Sequence, residues 1–224
     1  MEFLSAILEP LRYILGRLLE AINSIVGNYG ASIILLAIAV SVLLSPVVAL
    51  ARRIEARDKE RLQAMAPAVL DAKAKFTGRE RFEAIDAIYA AHGYHPIQSV
   101  GSVLPLLVQL PFLLAALLLL VDHEPLREQG FLFVRNLAEP DGLLMIGPVS
   151  VNLIPLAMTA VTLAESEIRP EATAGAKMQF RFVAGVLLIL VYGFPAAVCL
   201  YWLAANTVSL ARSAWRRRTL ARLV

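Results

Sequence analysis

Cysteine is almost missing from this sequence: Cys199 stands alone in 224 residues, so no intrachain disulfide can form. Histidine is nearly as scarce, with only His92, His95 and His123. His92 and His95 have a helical spacing that suits metal ligands. No carboxylate or cysteine close in sequence completes a set, so both are read as structural. Charge is thin as well, at 17% of residues, and from Phe182 to Ala211 thirty residues pass without one. There is no nucleophile elbow, no glycine-rich phosphate loop and no pair of carboxylates within an apolar stretch. These absences argue against covalent catalysis, nucleotide hydrolysis and metal chemistry, and the reading is of a protein that is not an enzyme and takes no cofactor. Apolar residues are what the chain does have, 58% of it. The charges gather in 52–86, 122–141, 165–181 and the tail, which leaves apolar stretches between them, the pattern of an integral membrane protein.

The stretch 182–211 is too long for one ordinary crossing and short for two, since a bilayer core takes about 20 apolar residues. Both its flanks are basic: Arg169, Lys177 and Arg181 before it, and Arg212, Arg216, Arg217, Arg218 and Arg222 after. Basic flanks stay on the cytoplasmic side, so the run goes out and returns, turning at Gly193, Phe194 and Pro195. Proline suits the start of the returning helix because its missing N–H has no partner there in any case.

Residues 1–28 read as an amphipathic helix on the outer membrane surface, with Leu4, Ile7, Leu8, Leu11, Leu15, Leu18, Ile22 and Ile25 on one face. Glu2, Glu9, Arg12, Arg17 and Glu20 interrupt it, unlike the unbroken core of a signal peptide. A first span over 29–51 follows, with Pro46 expected to kink its inner end. Residues 52–98 are polar with helical periodicity, broken at Thr77-Gly78, and read as a cytoplasmic helical hairpin. The part 99–212 supplies four more spans: about 103–121, 148–164, 177–194 and 195–212. An outer loop between the first two carries an interfacial element at Phe131-Leu132-Phe133-Val134. Residues 213–224 form a basic cytoplasmic tail.

The fold class is therefore all-α, with five transmembrane helices, a surface helix and a cytoplasmic hairpin. All but Arg12, Arg17, Arg127 and Arg135 of the 21 Lys/Arg fall on one side of that arrangement, which sets the N-terminus outside and the C-terminus inside. Arginines flanking a span serve as topology anchors and contacts for anionic membrane lipids, so the tail is not taken as a nucleic-acid site. No internal repeat of the inverted-transporter kind is present.

Several segments resemble the YidC/Oxa/Alb family of membrane protein insertases. Tyr89-Ala90-Ala91-His92-Gly93-Tyr94-His95-Pro96 is similar to the family's motif closing its hairpin. Pro105-Leu106-Leu107-Val108-Gln109-Leu110-Pro111 resembles the motif of the following span, and Phe194 to Trp202 with Asn206 resembles the last turn and helix. Met65-Ala66-Pro67 is similar to a hairpin motif as well. The resemblance covers about Tyr29 to Leu210. It implies a protein of the bacterial inner membrane that passes nascent membrane proteins into the bilayer through a hydrophilic groove closed on the outer side. Ribosome and Sec translocon, or one dedicated membrane partner, are the further partners it implies.

Polar residues inside spans are the groove candidates: Ser41, Gln109, Thr159, Thr162, Arg181 and Asn206. Interhelical hydrogen bonds are the alternative role for the uncharged ones. Leu110, Phe112, Phe182 and Tyr201 are candidates for the apolar wall. The family places an arginine five residues before the span's proline, where this chain has Ser41, and Ala197 replaces the glycine expected after the Phe-Pro turn. Arg181 is the candidate substitute charge. No large outer domain and no lipoprotein cysteine are read in the sequence. Two other readings remain open: an insertase-like paralogue scaffolding a dedicated partner, and a small transporter or channel.

Overall fold

The computed structural model describes residues 2–94, 104–168 and 174–221. Among them the chain is mostly helical: α1 (Glu2–Val26), α2 (Tyr29–Lys75), α3 (Gly78–Ala91), α4 (Leu104–Asp122), α5 (Leu153–Ile168), α6 (Ala174–Val191) and α7 (Ala196–Ala221). A short antiparallel hairpin, β1 (Leu144–Ile146) and β2 (Val149–Val151), precedes α5. The chain divides into two compact units, Met1–Leu43 with Phe112–Val224, and Leu44–Pro111. Of the described helices only α2 is long and apolar enough to cross a membrane, with shorter apolar stretches at Leu107–Asp122 and Arg181–Val191.

In the first unit, α1 buries Leu8, Leu15 and Leu19. Leu18 and Ile25, expected on the same face, are exposed together with Ile14. At 100° per residue, 14, 18 and 25 form a second apolar stripe about a quarter-turn from the buried one. Gly27, at φ +71°, ends α1 in the left-handed conformation that glycine adopts without steric cost. Asn28 then opens α2, its Oδ1 accepting from the Ala31 N–H at 3.1 Å.

Charged contacts tie α1 to the far end of α4. Arg12 Nη1 lies 3.2 Å from Asp122 Oδ2. Glu20 Oε1 lies 2.9 Å from His123 Nε2, out of line for a hydrogen bond, and also accepts from the Tyr29 hydroxyl at 3.2 Å. The rings of Tyr29 and His123 meet edge to face.

The third apolar segment starts later than the sequence reading places it. Residues 148–152 are not helical: Gly147-Pro148 turns β1 into β2, and α5 begins at Leu153. Gly147 at φ +61° and the ring of Pro148 favour a hairpin turn there over a helix. Asp141 accepts from the Leu153 N–H at 2.6 Å and the Ile154 N–H at 3.3 Å, a carboxylate at the positive end of α5. Asn152, expected inside a span, is instead the knot of this junction. Its Oδ1 accepts from Gly142 and its Nδ2 donates to the Tyr192 carbonyl, at 2.9 and 2.7 Å.

Two further boundaries differ from the sequence reading. Residues 213–221 continue α7 rather than forming a separate tail, because nothing after Pro195 stops a helix and its basic end complements the helix dipole. The first span and the first hairpin arm are one helix, α2, which continues through Pro46 and Pro67.

In the second unit the hairpin break falls at Phe76-Thr77, between α2 and α3. Met65 is its best-buried side chain at 1% exposure, whereas Phe82 is exposed and α3 has no fully buried residue. Its surface carries i,i+4 ion pairs, Glu55–Lys59, Asp71–Lys75 and Arg79–Glu83. His92 Nδ1 lies 2.9 Å from its own helix's Ile88 carbonyl, and His95 and Pro96 fall outside the described residues.

Candidate functional site

The polar residues singled out in the sequence divide by what they touch. Thr162 and Asn206 meet directly, Asn206 Nδ2 donating to Thr162 Oγ1 at 2.8 Å between α5 and α7. One turn further along α5, Glu165 is buried at 5% exposure. Its Oε1 accepts from the Ser209 hydroxyl at 2.8 Å and the Ser213 hydroxyl at 3.2 Å. Positions 162 and 165 face 206, 209 and 213, spacings of three and four that keep one helix face towards the other. The result is a polar seam in a contact between otherwise apolar helices.

The sequence reading missed Glu165, Ser209 and Ser213. The signal was present, because two serines one helical turn apart follow Asn206 on the same face of α7. Glu165 was assigned to a loop because α5 was expected to end at residue 164, one residue short of it.

Thr159 does not join the seam. Its hydroxyl donates to the Pro155 carbonyl of its own helix at 2.9 Å, as Thr162 also does to Met158. Arg181 forms an ion pair with Glu167 at 2.6 Å, linking α6 to α5. Its side chain is about half exposed, which limits the contribution of that pair.

Ser41 is half-buried, and its main-chain carbonyl accepts a hydrogen bond from Arg212 Nη2 at 3.2 Å. Sequence reading had placed Arg212 at the inner end of the fifth span, as the first of the arginines that flank it. Because α7 continues as a helix through residue 212, this guanidinium is carried to the turn of α2 that holds Ser41. Its described partner is a neutral carbonyl, so among the described residues no carboxylate neutralises it.

The remaining candidates are dispersed. Gln109 and Leu110 are exposed and belong to the second unit. Phe112 is half-buried, Tyr201 is buried at 4% exposure and Phe182 is exposed at 73%. Tyr201 belongs to the fully buried first turns of α7, Ala196 to Tyr201, where side chains pack into the bundle. Among the described residues no three His, Cys, Asp or Glu side chains group as metal ligands do.

Gly193, Phe194 and Pro195 lie between α6 and α7, and the Phe194 N–H closes the end of α6 on the Val191 carbonyl at 3.0 Å. The first amides of α7 find acceptors outside their helix. Ala196 N–H donates to the Glu139 carbonyl at 2.7 Å and Ala197 N–H to the Leu137 carbonyl at 2.9 Å. Helix N-termini leave such donors unmatched, and here a loop from before β1 satisfies them.

Comparison with known proteins gives three kinds of match. A family model described as 60Kd inner membrane protein matches residues 21–222. The membrane protein insertase YidC of Pseudomonas entomophila is 28% identical over 222 residues, covering 97% of this chain and 36% of that protein. The protein of the same name from Chlamydia trachomatis is 29% identical over 217 residues, covering 89% of this chain and 27% of its own length. That from Prosthecochloris aestuarii is 25% identical over 217 residues, with 92% and 36% covered. The chain thus spans about a third of the length of such relatives. A solved structure of an active YidC insertase, with its first transmembrane domain resolved, is similar in fold. The TM-score is 0.60 at 18% identity, over 94% of this chain and 46% of that one.

Proposed function

The chain belongs to the 60Kd inner membrane protein family, the YidC/Oxa/Alb insertases, and from that premise we propose that it passes segments of nascent membrane proteins into the bacterial inner membrane. The observation that carries this reading at the level of residues is the Arg212 guanidinium beside the Ser41 carbonyl, with the Thr162–Asn206 and Glu165–Ser209 contacts on neighbouring positions of α7. A polar patch within an apolar bundle gives the hydrophilic tail of a substrate somewhere to go. Each unsatisfied polar group otherwise costs several kcal/mol in hydrocarbon.

Five spans, with the N-terminus outside and the C-terminus inside, follow from the distribution of Lys and Arg. α6 (Ala174–Val191) rises about 27 Å along its axis, a little less than a hydrocarbon core of about 30 Å. A short fourth and fifth span favour local thinning of the bilayer, which reduces the distance a substrate must travel through hydrocarbon. Phe112, Phe182 and Tyr201 extend the proposed groove, and the polar hairpin of α2 and α3 is a docking surface for ribosome, translocon or substrate. Burial of the substrate's apolar segment drives the reaction, so neither nucleotide nor covalent step is required.

Growth of a bacterial strain depleted of its own insertase tests the reading. Rescue by the wild type, lost in Arg212→Ala, is the expected result. Failure of a membrane-inserted wild-type protein to rescue would overturn it in favour of a scaffold for one dedicated partner.

A further inference from the structure

Between α4 and β1 the chain makes a turn that the proposed insertion path does not use. Phe131 and Val134 bridge each other with two 2.9 Å hydrogen bonds, N–H to carbonyl in both directions. A further bond, Leu137 N–H to the Gln129 carbonyl at 2.9 Å, closes the stem. Below the turn, Leu126, Val134 and Leu137 are buried, and Phe131 lays its ring directly over Gly30, at the start of α2. The base is therefore fixed.

The tip is the opposite. Leu132 and Phe133 are 81% and 83% exposed, two large apolar side chains held out side by side. Leu132 also takes φ +52°, in a two-residue turn where glycine or asparagine is the usual occupant. In water this arrangement is doubly unfavourable: the backbone is strained and the side chains gain nothing from burial. Both costs are offset if the tip rests in hydrocarbon.

We propose that Leu132 and Phe133 form a lipid-embedded tip that pins the loop to the membrane boundary at the head of α2. The partner is identified by position. Phe131 clamps the loop to the second residue of α2, where that helix's long apolar stretch begins, so a bilayer around the stretch has its boundary at this level. Charge agrees, since Arg127 and Arg135 are exposed on either side of the turn, where lipid phosphates would meet them. The same loop supplies the Leu137 and Glu139 carbonyls that cap α7, so lipid contact at the tip steadies the start of the last helix. The inference needs membrane residence only and stands apart from insertase activity.

Nitroxide labels test it. Phe133→Cys, Leu132→Cys and, as a water-exposed reference, Arg79→Cys are each prepared with Cys199→Ala and reconstituted in phosphatidylcholine–phosphatidylglycerol vesicles. Collision with oxygen, which concentrates in hydrocarbon, is compared with collision with a water-soluble nickel chelate. The labels at 132 and 133 are expected to favour oxygen several-fold over the reference, at a depth of about 5–10 Å, where interfacial elements settle. Nickel accessibility equal to that of the Arg79 site would overturn the proposal. Protection from both reagents would overturn it too, because the tip would then be covered by protein.

Discussion

Arg212 reaches from α7 to the main-chain carbonyl of Ser41 on α2, 171 residues earlier, at 3.2 Å. One helix thus supplies a cation at a turn of another helix whose own side chain is a neutral hydroxyl. The two positions are interchangeable as sources of charge if the charge itself is what a substrate feels.

That gives a rescue experiment. Charged hydrogen bonds contribute about 1.5–3 kcal/mol, and about 1.4 kcal/mol is tenfold in an equilibrium. Arg212→Ala should therefore lower insertion of a substrate with an acidic tail by about tenfold or more, with little effect on a neutral-tailed one. Adding Ser41→Arg should restore it. Protease protection of both substrates in proteoliposomes is the readout, and equal loss for the two would reduce Arg212 to a structural strut.

The seam between α5 and α7 makes a stability prediction. Hydrogen bonds between membrane helices average about 0.6 kcal/mol, so Thr162→Val and Asn206→Leu should each destabilise modestly and their effects should not add. Glu165→Leu should cost more, about 1–3 kcal/mol, because it removes the acceptor of the buried Ser213 hydroxyl. Glu165→Gln retains an acceptor and should lie near wild type. A double-mutant cycle of unfolding in detergent decides, and strict additivity of the Thr162 and Asn206 variants would rule out their coupling.

Two glycines at the ends of α1 and α2 should respond differently to alanine. At Gly30 a Cβ would overlap the ring of Phe131, so Gly30→Ala should destabilise by about 1–3 kcal/mol through overpacking. Phe131→Ala in the same chain should relieve the added strain. Gly27 has open space around it but sits at φ +71°, so Gly27→Ala should cost about 1 kcal/mol for backbone reasons that no second substitution relieves. Thermal unfolding of the four chains separates the two causes.

Tyr94 gives a pH prediction in the hairpin unit. It is 3% exposed, and burial, then the Asp58 carboxylate and Tyr89, raise its phenol above the ordinary 10.0. The folded state holds the proton more tightly than the unfolded chain does. The corresponding stability is complete below pH 10 and lost as pH rises through the folded value. Tyrosinate absorbance in wild type and Tyr94→Phe should show one late-ionising group that the variant lacks. Identical titration curves after allowing for one residue would contradict this.

Much of the helical organisation was legible because charge and proline break the apolar pattern. The turn before α7 could be read from Gly193 to Pro195, and the hairpin break from Thr77-Gly78. Legibility failed where tertiary contacts decide. The first span was expected to end before Arg52, yet α2 runs on past it as one helix to Lys75. Asn152 looked like a polar residue in a span, but its amide serves Gly142 and Tyr192 from two distant parts of the chain. The candidate site divided the same way. Thr162 and Asn206 were visible as polar residues in apolar runs, although only the packing of α5 on α7 pairs them. Arg212 could not be separated from the arginines after it without knowing that α7 continues.

The two amides that open α7 are received by the carbonyls of Leu137 and Glu139, more than fifty residues earlier in the chain. A ribosome makes that receptor first. When α7 emerges, its acceptors and its α5 partner are already in place. Its docking can thus proceed like a key turned in a finished lock, and a chain stalled before Ala196 would leave the Leu137 and Glu139 carbonyls without the donors they hold here.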